Sequence, residues 1–223
     1  MDQWSPPTLG AEATHHLLSV IRLHPGERAV LFDGKGQQAL SILREIANGI
    51  PSFELLEPLQ WAQPEHRLHL FLAMPKGPAM DDAVRMATEA GMTDLHPLIS
   101  SRSVAKGERG DRWARIAESA AQQCGRGDIP TIHPIQTFSA SLAQLQEIDR
   151  RIALPGAPPA TGANGPAAVW IGPEGGFSPE EVKQACAAGL QPMGIGRWIF
   201  RAETAAAVAV SAMASADAIP MVK

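Results

Sequence analysis

The sequence has few cysteines and lacks a long apolar run. Its two cysteines, Cys124 and Cys186, are isolated and lack the spacing of metal ligands. Both are expected to be small buried residues in a protein of the reducing cytoplasm. No apolar run approaches the ~18 residues of a membrane span, and the start, MDQWSPPTLG, shows no secretion signal. These absences favour a cytoplasmic globular protein.

An excess of positive charge is also missing. The 223 residues carry 19 Lys and Arg against 23 Asp and Glu, a net charge of −4. This balance argues against nucleic-acid binding that ignores sequence. Any RNA contact must come from a local cluster, and the best lies within 102–126: Arg102, Lys106, Arg109, Arg112, Arg115 and Arg126. A solvated helix face with its lead-in loop is the alternative interpretation.

Several familiar catalytic motifs are absent. The sequence has no phosphate-binding G-x-x-x-x-G-K-[ST] loop, and Gly194-x-Gly196 is followed by Ile199 where a dinucleotide fingerprint requires glycine. There is no G-x-S-x-G elbow, no H-E-x-x-H and no Cys/His cluster. Metal hydrolysis and acyl transfer are therefore disfavoured, and no metal is expected.

Patterning divides the chain into two domains, 1–65 and 66–223. The first is a small β-rich unit with a hairpin, ERAVLF and QQALSILREI around the turn Asp33–Gly36, followed by a linker over 57–67. The second alternates strands with helices. The strands are LHLFLAM, MTDLHPLIS, IPTIHPI, AAVWI and QPMGIG; the helices are 78–91, 109–125, one near SLAQLQEID, one from Pro179 and 202–218; a loose loop covers 154–166. This alternation predicts a mostly parallel sheet covered by helices on both faces.

The stretch VWIGPEGGFSPEEV is the most informative segment of the sequence. Ser178, Pro179 and Glu181 predict a helix start with a capping box. Before it, Gly172, Gly175 and Gly176 stand where a buried strand meets a helix N-terminus, a position suited to a polar ligand. In parallel sheets, ligands bind beyond the carboxyl ends of the strands, where we expect 74–77, 98–104, 172–176 and 194–204 to meet.

Glycine-rich loops with arginine beside them suit an adenosine-like ligand. Glu174 and Arg201 are candidates for its polar groups or for those of a substrate. An ion pair between Arg201 and Glu203 at the start of the last helix is the alternative. The residue pattern alone therefore predicts a protein that binds an adenosine-like ligand, without indicating a specific reaction.

The segments IGPEGGFSPEE and GIGRWIFRAETAAA resemble the two C-terminal signatures of the RsmE family. VIRLHPGERAVLFDGKG, MPKGPAMDDAVRMATEAGMTDLHPLISSRSV and RWARIAESAAQQCGR are also similar to that family, so the resemblance covers nearly the whole chain. It implies a SPOUT-type methyltransferase domain with a deep trefoil knot, a PUA-like β-barrel for RNA at the N-terminus, and a homodimer. It also implies methylation of N3 of a uridine in the decoding region of 16S ribosomal RNA, with S-adenosylmethionine as the methyl donor.

The resemblance also implies site residues. The expected cofactor residues are Met74, Ile171, Gly172, Pro173, Glu174, Gly175, Gly176, Ile195, Gly196, Ile199, Phe200 and Arg201. Arg201 is expected to stabilise charge on the uracil oxygens, with Glu174 and Glu203 as weaker candidates for a catalytic role. The RNA-contact candidates are Arg22, Lys35, Lys76, Arg102 and Arg126.

The chain departs from the family pattern at three positions, with Ala79 where a basic residue is expected, Ser101 for glutamate and Trp198 for arginine. Two further hypotheses therefore stay open. One is a SPOUT enzyme acting on another RNA, for example at the ribose 2′-oxygen of tRNA. The other is an RNA-binding dimer that has lost turnover.

Overall fold

The computed structural model describes residues 9–59, 64, 66–103 and 110–214. The chain forms two compact units, one of residues 1–63 with 126–128 and one of residues 64–125 with 129–223. Lys106 and Arg109 of the basic cluster, and the first eight residues, lie outside the described residues.

The first unit is built on a three-stranded antiparallel sheet. A short helix, α1 (Ala11–His15), and a π-helical turn (His16–Val20) precede β1 (Arg28–Phe32), β2 (Gln38–Ala47) and β3 (Ile50–Leu59), which lie in the order β1-β2-β3. Pairing of Arg28 with Ile42 and of Phe32 with Gln38 confirms the predicted hairpin. The predicted linker was wrong at 57–59, which complete β3; residues 60–63 and 65 lie outside the described part. Pro51 and Pro58 are tolerated because β3 is an edge strand.

Residues 126–128 belong to this first unit although they follow helix α3 (Gly110–Cys124) of the second. Gly36 donates its backbone N–H to the carbonyl of Gly127 at 2.9 Å. Asp128 forms bridges with Gly34 and Lys35. The hairpin turn is thus held by a segment some ninety residues later in the chain.

The second unit contains a seven-stranded parallel sheet. Its strands are β4 (Leu68–Ala73), β5 (Asp94–Ile99), β6 (Thr131–Ile132), β7 (Gln136–Thr137), β8 (Asp149–Ala153), β9 (Ala167–Ile171) and β10 (Gln191–Met193). Their order is β10-β8-β9-β4-β5, with β6 and β7 both beside β5. All of these pairings are parallel. The predicted α/β class with a parallel sheet is confirmed.

Helices cover both faces of this sheet. On one face α2 (Ala79–Glu89), α3 and α6 (Ala202–Met213) pack on Leu70, Leu72 and Val169. On the other, α4 (Phe138–Ser141) and α5 (Pro179–Ala187) pack on Phe71 and Trp170. Alternate residues of a strand point to opposite faces, so one run, LHLFLA, serves both cores. Within the described residues, no helix has both the length and the apolar character that a membrane span requires.

The predicted helix near SLAQLQEID was wrong. The helix α4 ends at Ser141, and Asp149 begins strand β8 in the middle of the sheet. The sequence pattern did not predict this strand because it contains two consecutive arginines. Arg150 is buried and donates to the carbonyls of Leu142, Gln144 and Ala188, while Arg151 pairs with Asp149. Because carbonyl oxygens satisfy its guanidinium, Arg150 is tolerated inside a strand.

The prediction of buried cysteines was also wrong, since both are exposed. Cys124 is the last residue of α3. On α5 the buried residues are Glu181 and Ala185, which lie four positions apart on one side of the helix. Cys186 follows Ala185 and therefore turns towards solvent.

Candidate functional site

Three of the predicted loops meet at one edge of the parallel sheet. They follow β4, β9 and β10 at 74–77, 172–176 and 194–201, and the ends of parallel strands share an edge. The Lys76 backbone N–H donates to the Glu174 carboxylate at 3.0 Å. This bond joins the loop after β4 to the loop after β9, across 98 residues of chain.

The loop 172–176 is a tight turn leading into α5. The Gly176 N–H donates to the Pro173 carbonyl at 2.7 Å, and Gly176 has φ of 66°. A Cβ on Gly172 would lie 3.0 Å from the Phe177 nitrogen, so the loop itself requires this glycine. The Ser178 hydroxyl accepts from the Glu181 N–H, and the Glu181 carboxylate accepts from the Ser178 N–H. The predicted capping box is confirmed.

Glu181 has a second role that the capping motif does not reveal. Its carboxylate also accepts hydrogen bonds from the Ser101 N–H at 2.7 Å and from the Ser101 hydroxyl at 2.9 Å. Burial acts to raise the pKa of Glu181, but the bonds from Ser101 and Ser178 outweigh it, and the pKa is lowered. Ser101 therefore fixes the loop after β5 to the start of α5. The neighbouring Arg102 donates to the Gly175 carbonyl at 2.5 Å.

The loop after β10 has a firmly held base and an open backbone. Gly194 donates to the Pro158 carbonyl at 2.7 Å and accepts from the Ala160 N–H at 2.8 Å. Ile195 and Phe200 pack against the core. By contrast, the backbone N–H and C=O groups of 195–200 make no hydrogen bond to any other described residue. Unpaired backbone groups beside apolar side chains match the needs of an adenine, whose edge is polar and whose faces are apolar. These residues therefore fit an adenosyl group.

Arg201 is the first residue before α6, and its side chain is exposed. Among the described residues, its guanidinium has no ion pair and no hydrogen bond, and Glu203 is not its partner. The alternative interpretation, an ion-paired helix start, is thus not what the structure contains. A cation without a protein partner is available to a substrate.

The other predicted cofactor residues divide by burial. Met74, Ile171 and Pro173 are buried, and the Met74 N–H is bonded to the Leu98 carbonyl at 2.9 Å. Glu174 and Gly175 are exposed. Met74 and Ile171 therefore belong to the hydrophobic core, whereas Glu174 and Gly175 lie at the surface.

The predicted RNA contacts are placed differently. Arg22, Lys35 and Lys76 are exposed. Arg126 is buried, and its guanidinium is bonded to the Asp128 carboxylate at 2.9 and 2.7 Å. The geometry therefore opposes a phosphate contact by Arg126 and instead gives it a part in holding the 126–128 segment.

The rest of the basic cluster behaves as a solvated helix face where it is described. Arg112 pairs with Asp81 of α2 at 2.6 Å, and Arg115 donates to the Asp111 carbonyl. Two of its arginines are thus engaged within the protein. For α3, these contacts favour a solvated helix face over an RNA-binding surface.

A histidine cluster that the search for sequence motifs did not reveal lies on β4 and β5, with His133 just after β6. His69 and His96 are 3.1 Å apart through Nδ1 and Nε2, and His133 stacks on His96 with ring centroids 4.0 Å apart. The Asp94 carboxylate is 3.6 Å from His69 Nδ1. The signal was the i, i+2 spacing of Asp94 with His96, matched by His69 with Phe71 on the neighbouring strand.

Hydrogen bonds lower the pKa of Asp94, whereas burial lowers the pKa of His96. Burial acts to raise the pKa of Asp94, but bonds from Arg67, His133 and Thr93 lower it to about 2. Burial, with His133 and His69 alongside, lowers the pKa of His96 to about 3. Each Asp94 oxygen already has two partners, Arg67 and His133 on one and Arg67 and Thr93 on the other. A carboxylate so fully occupied suits a structural network better than a metal ion.

Comparison with known proteins identifies both parts of the chain. Residues 62–214 match the family model for an RNA methyltransferase domain, and residues 9–50 match that for an RNA methyltransferase PUA domain. The ribosomal RNA small subunit methyltransferase E of Synechocystis is 33% identical over 92% of this chain and 71% of its own length. The enzyme of the same name from Mycobacterium bovis is 30% identical over 89% of this chain and 82% of its own.

Solved structures agree with the sequence matches. Ribosomal RNA small subunit methyltransferase E from Neisseria gonorrhoeae, bound to S-adenosylmethionine, has a TM-score of 0.84 and 29% identity, covering 93% of this chain and 94% of its own. A putative methyltransferase from Legionella pneumophila in complex with S-adenosylmethionine has a TM-score of 0.80 and 27% identity, covering 91% and 88%. Because the Synechocystis enzyme is 33% identical and the match covers 71% of its length, the chain belongs to the ribosomal RNA small subunit methyltransferase E family, RsmE.

Proposed function

We propose that this protein transfers the methyl group of S-adenosylmethionine to N3 of a uridine in the decoding region of 16S ribosomal RNA. The observation that carries the proposal is the backbone of 195–200, which has no hydrogen-bond partner in the described part of the chain. It leads to Arg201, which is equally without a partner there, and it lies at the sheet edge of the Glu174 loop. The family to which the chain belongs supports the same activity.

The cofactor residues are 172–176, Ile195, Gly196, Ile199, Phe200 and Arg201, together with the buried Met74 and Ile171. S-Adenosylmethionine supplies an electrophilic methyl group on sulfur. Backbone groups of Ile195, Gly196, Ile199 and Phe200 bind the adenine edge, while the half-buried side chains of Ile195 and Phe200 cover its faces. Glu174, held by the Lys76 N–H, presents its remaining acceptors to polar groups of the ligand.

Arg201 supplies the electrostatic part of catalysis. N3 of uracil must lose a proton, and the negative charge that develops spreads to the adjacent carbonyl oxygens. Arg201 is the N-cap residue of α6, and its guanidinium stabilises this charge when the substrate is bound. Since N3 lies on the pairing edge, the uridine must be unpaired or flipped to reach it. Glu174 and Glu203 remain weak candidates for taking the proton.

The loop contacts support a knotted chain. The 154–166 segment connects β8 to β9, while Gly194 bonds to Pro158 and Ala160, and the end of α6 bonds through Met213 to Ala163. The chain from β10 to α6 is thus hydrogen-bonded to an earlier connection, and this close association supports the proposed trefoil knot. Such threading is a rare exception to the usual rules of chain connection.

The first unit is proposed to be a PUA-like barrel that binds RNA, with the two domains covering 1–65 and 66–223. The match to a PUA domain model supports this role, and exposed Arg22 and Lys35 are its candidate phosphate contacts. Lys76 and Arg102 are the candidates in the methyltransferase domain. We further propose a cytoplasmic homodimer that needs no metal.

A transfer assay tests the proposed function. Purified protein with labelled S-adenosylmethionine is given small ribosomal subunits that lack the modification, free 16S RNA, or tRNA, and the modified position is mapped by reverse-transcription stops. A single stop in the decoding region is expected. Label in tRNA would favour a different SPOUT substrate, and cofactor binding without transfer would favour the RNA-binding dimer that has lost turnover.

A further inference from the structure

The loop after β10 exposes two large apolar side chains. Trp198 is 74% exposed and Ile199 is 85% exposed, more than any other large hydrophobic side chain in the described residues. An exposed tryptophan is unusual enough to indicate a binding surface. These residues lie within the segment proposed to bind the cofactor, three and two positions before Arg201.

The exposure is built into the loop. Gly194 is bonded on both sides to the 154–166 segment, and Phe200 packs on the core. A Cβ on Gly196 would lie 2.7 Å from the Phe200 ring, so Gly196 and Phe200 close the loop tightly between them. With both ends held in this way, Trp198 and Ile199 are directed outwards.

The immediate surroundings of Trp198 are cationic. The Arg197 guanidinium lies over the Trp198 ring, 5.3 Å from its centroid, which leaves the opposite ring face uncovered by Arg197. Between Gly194 and Ala202 the chain has Arg197 and Arg201 and no acidic residue. An aromatic face with cations beside it is the combination that binds unpaired nucleotides, whose bases stack while their phosphates meet the positive charge.

We propose that Trp198, with Arg197, is a stacking platform for an unpaired rRNA nucleotide next to the target uridine. The inference rests on the proposed function, because that function brings a single-stranded RNA to Arg201. Charge complementarity and continuity with Arg201 favour RNA as the occupant over a second copy of this chain. The platform distinguishes this protein from the family pattern, which usually has arginine at position 198.

The test compares Trp198→Ala with Trp198→Phe. The alanine variant is expected to raise KM for small subunits roughly ten- to a hundredfold, and the phenylalanine variant only severalfold, since a smaller ring still stacks. The Kd for S-adenosylmethionine is expected to stay within about twofold in both variants, because Trp198 is not among the residues proposed to bind the adenine. An unchanged KM in Trp198→Ala would overturn the proposal.

Two further measurements distinguish this proposal from the proposed function and from a contact between two copies of the chain. Binding of a single-stranded RNA oligonucleotide with the decoding-region sequence, followed by fluorescence anisotropy without turnover, is expected to weaken in Trp198→Ala. This readout decides the platform even if wild-type protein transfers no methyl group, an outcome that would refute only the proposed function. Sedimentation of both variants completes the test: conversion of a wild-type dimer to monomer by Trp198→Ala, with RNA binding by the monomer unchanged, would assign this surface to a contact between copies and overturn the stacking platform.

Discussion

The Glu174 carboxylate accepts a hydrogen bond from the backbone N–H of Lys76 at 3.0 Å. This contact ties the loop after the first strand of the parallel sheet to the glycine loop after β9. Glu174 therefore stabilises the glycine loop itself, in addition to its proposed contact with the ligand. Substitutions at Glu174 separate these two roles.

Glu174→Gln keeps an oxygen acceptor for the Lys76 N–H, whereas Glu174→Ala removes it. The alanine variant is expected to bind S-adenosylmethionine roughly three- to tenfold more weakly, the equivalent of one hydrogen bond of about 1 kcal/mol. If Glu174 acts only through the loop, calorimetric titration gives the glutamine variant an affinity close to wild type. A glutamine variant as weak as alanine would show that the negative charge itself is used.

Arg201→Ala is expected to reduce turnover by about 10²–10³ because a cation that stabilises the charge of the transition state is lost. Since the Arg201 side chain is exposed and has no partner among the described residues, the melting temperature should hardly change. Single-turnover methyl transfer measures the first quantity and differential scanning calorimetry the second. The matched control is Arg112→Ala, which breaks the ion pair between Arg112 on α3 and Asp81 on α2. This variant should keep full activity. Equal turnover in Arg201→Ala and the control would exclude the proposed role.

Gly194→Ala places a methyl group where the Ala157 carbonyl oxygen already lies. The base of the loop 194–201 must move, so S-adenosylmethionine binding is expected to fall at least tenfold and the protein to lose about 1–3 kcal/mol of stability. Gly165→Ala is the control, since a Cβ there meets no atom within 4 Å. Titration calorimetry and urea unfolding report the two effects, and a Gly194→Ala variant with normal affinity would contradict the assigned geometry.

His96 makes stability depend on acidity. Its folded-state pKa of about 3 lies below the ordinary 6.5, so the neutral ring contributes stability that is complete above pH 6.5 and is lost as the pH falls towards 3. Asp94, with a folded-state pKa of about 2 against 3.8, adds a further loss below pH 4.

His96→Phe tests this origin because it keeps an aromatic ring between Phe71 and His133 but cannot be protonated. The urea midpoint of the wild type is expected to fall between pH 7 and pH 4, and that of the variant to fall less steeply. The comparison uses slopes, since the variant also loses the His69 hydrogen bond at every pH. Identical slopes would locate the acid sensitivity elsewhere.

Local chemistry made parts of the structure predictable. The capping box at Ser178 and Glu181, the hairpin at Asp33 and the strand LHLFLA each depend on neighbours in the sequence, and each is present. Strand β8 was missed because Arg150 is satisfied by two carbonyls of the turn before the strand and by the Ala188 carbonyl after α5, which no periodicity encodes. The same applies to Ser101, whose bonds to Glu181 span 80 residues.

The position of the candidate loops at one sheet edge could be predicted from the sequence, but the long-range packing around residues 126–128 could not. Parallel strands bring their carboxyl ends together, so the glycine loops and Arg201 could be assigned to one edge from sequence. The membership of 126–128 in the first unit, and the burial of Arg126 with Asp128, depend on the chain returning to the hairpin after α3. A charge count along the sequence could not distinguish this paired arginine from a free one.

The identity of the methylated nucleoside tests the central claim most directly. Small subunits lacking the modification are incubated with the protein and S-adenosylmethionine, and their 16S RNA is digested to nucleosides for mass spectrometry against synthetic standards. Our account predicts 3-methyluridine, at up to one per subunit, formed by Arg201→Ala at a rate lower by about 10²–10³. A ribose-methylated nucleoside, or no methylated product despite bound cofactor, would contradict it.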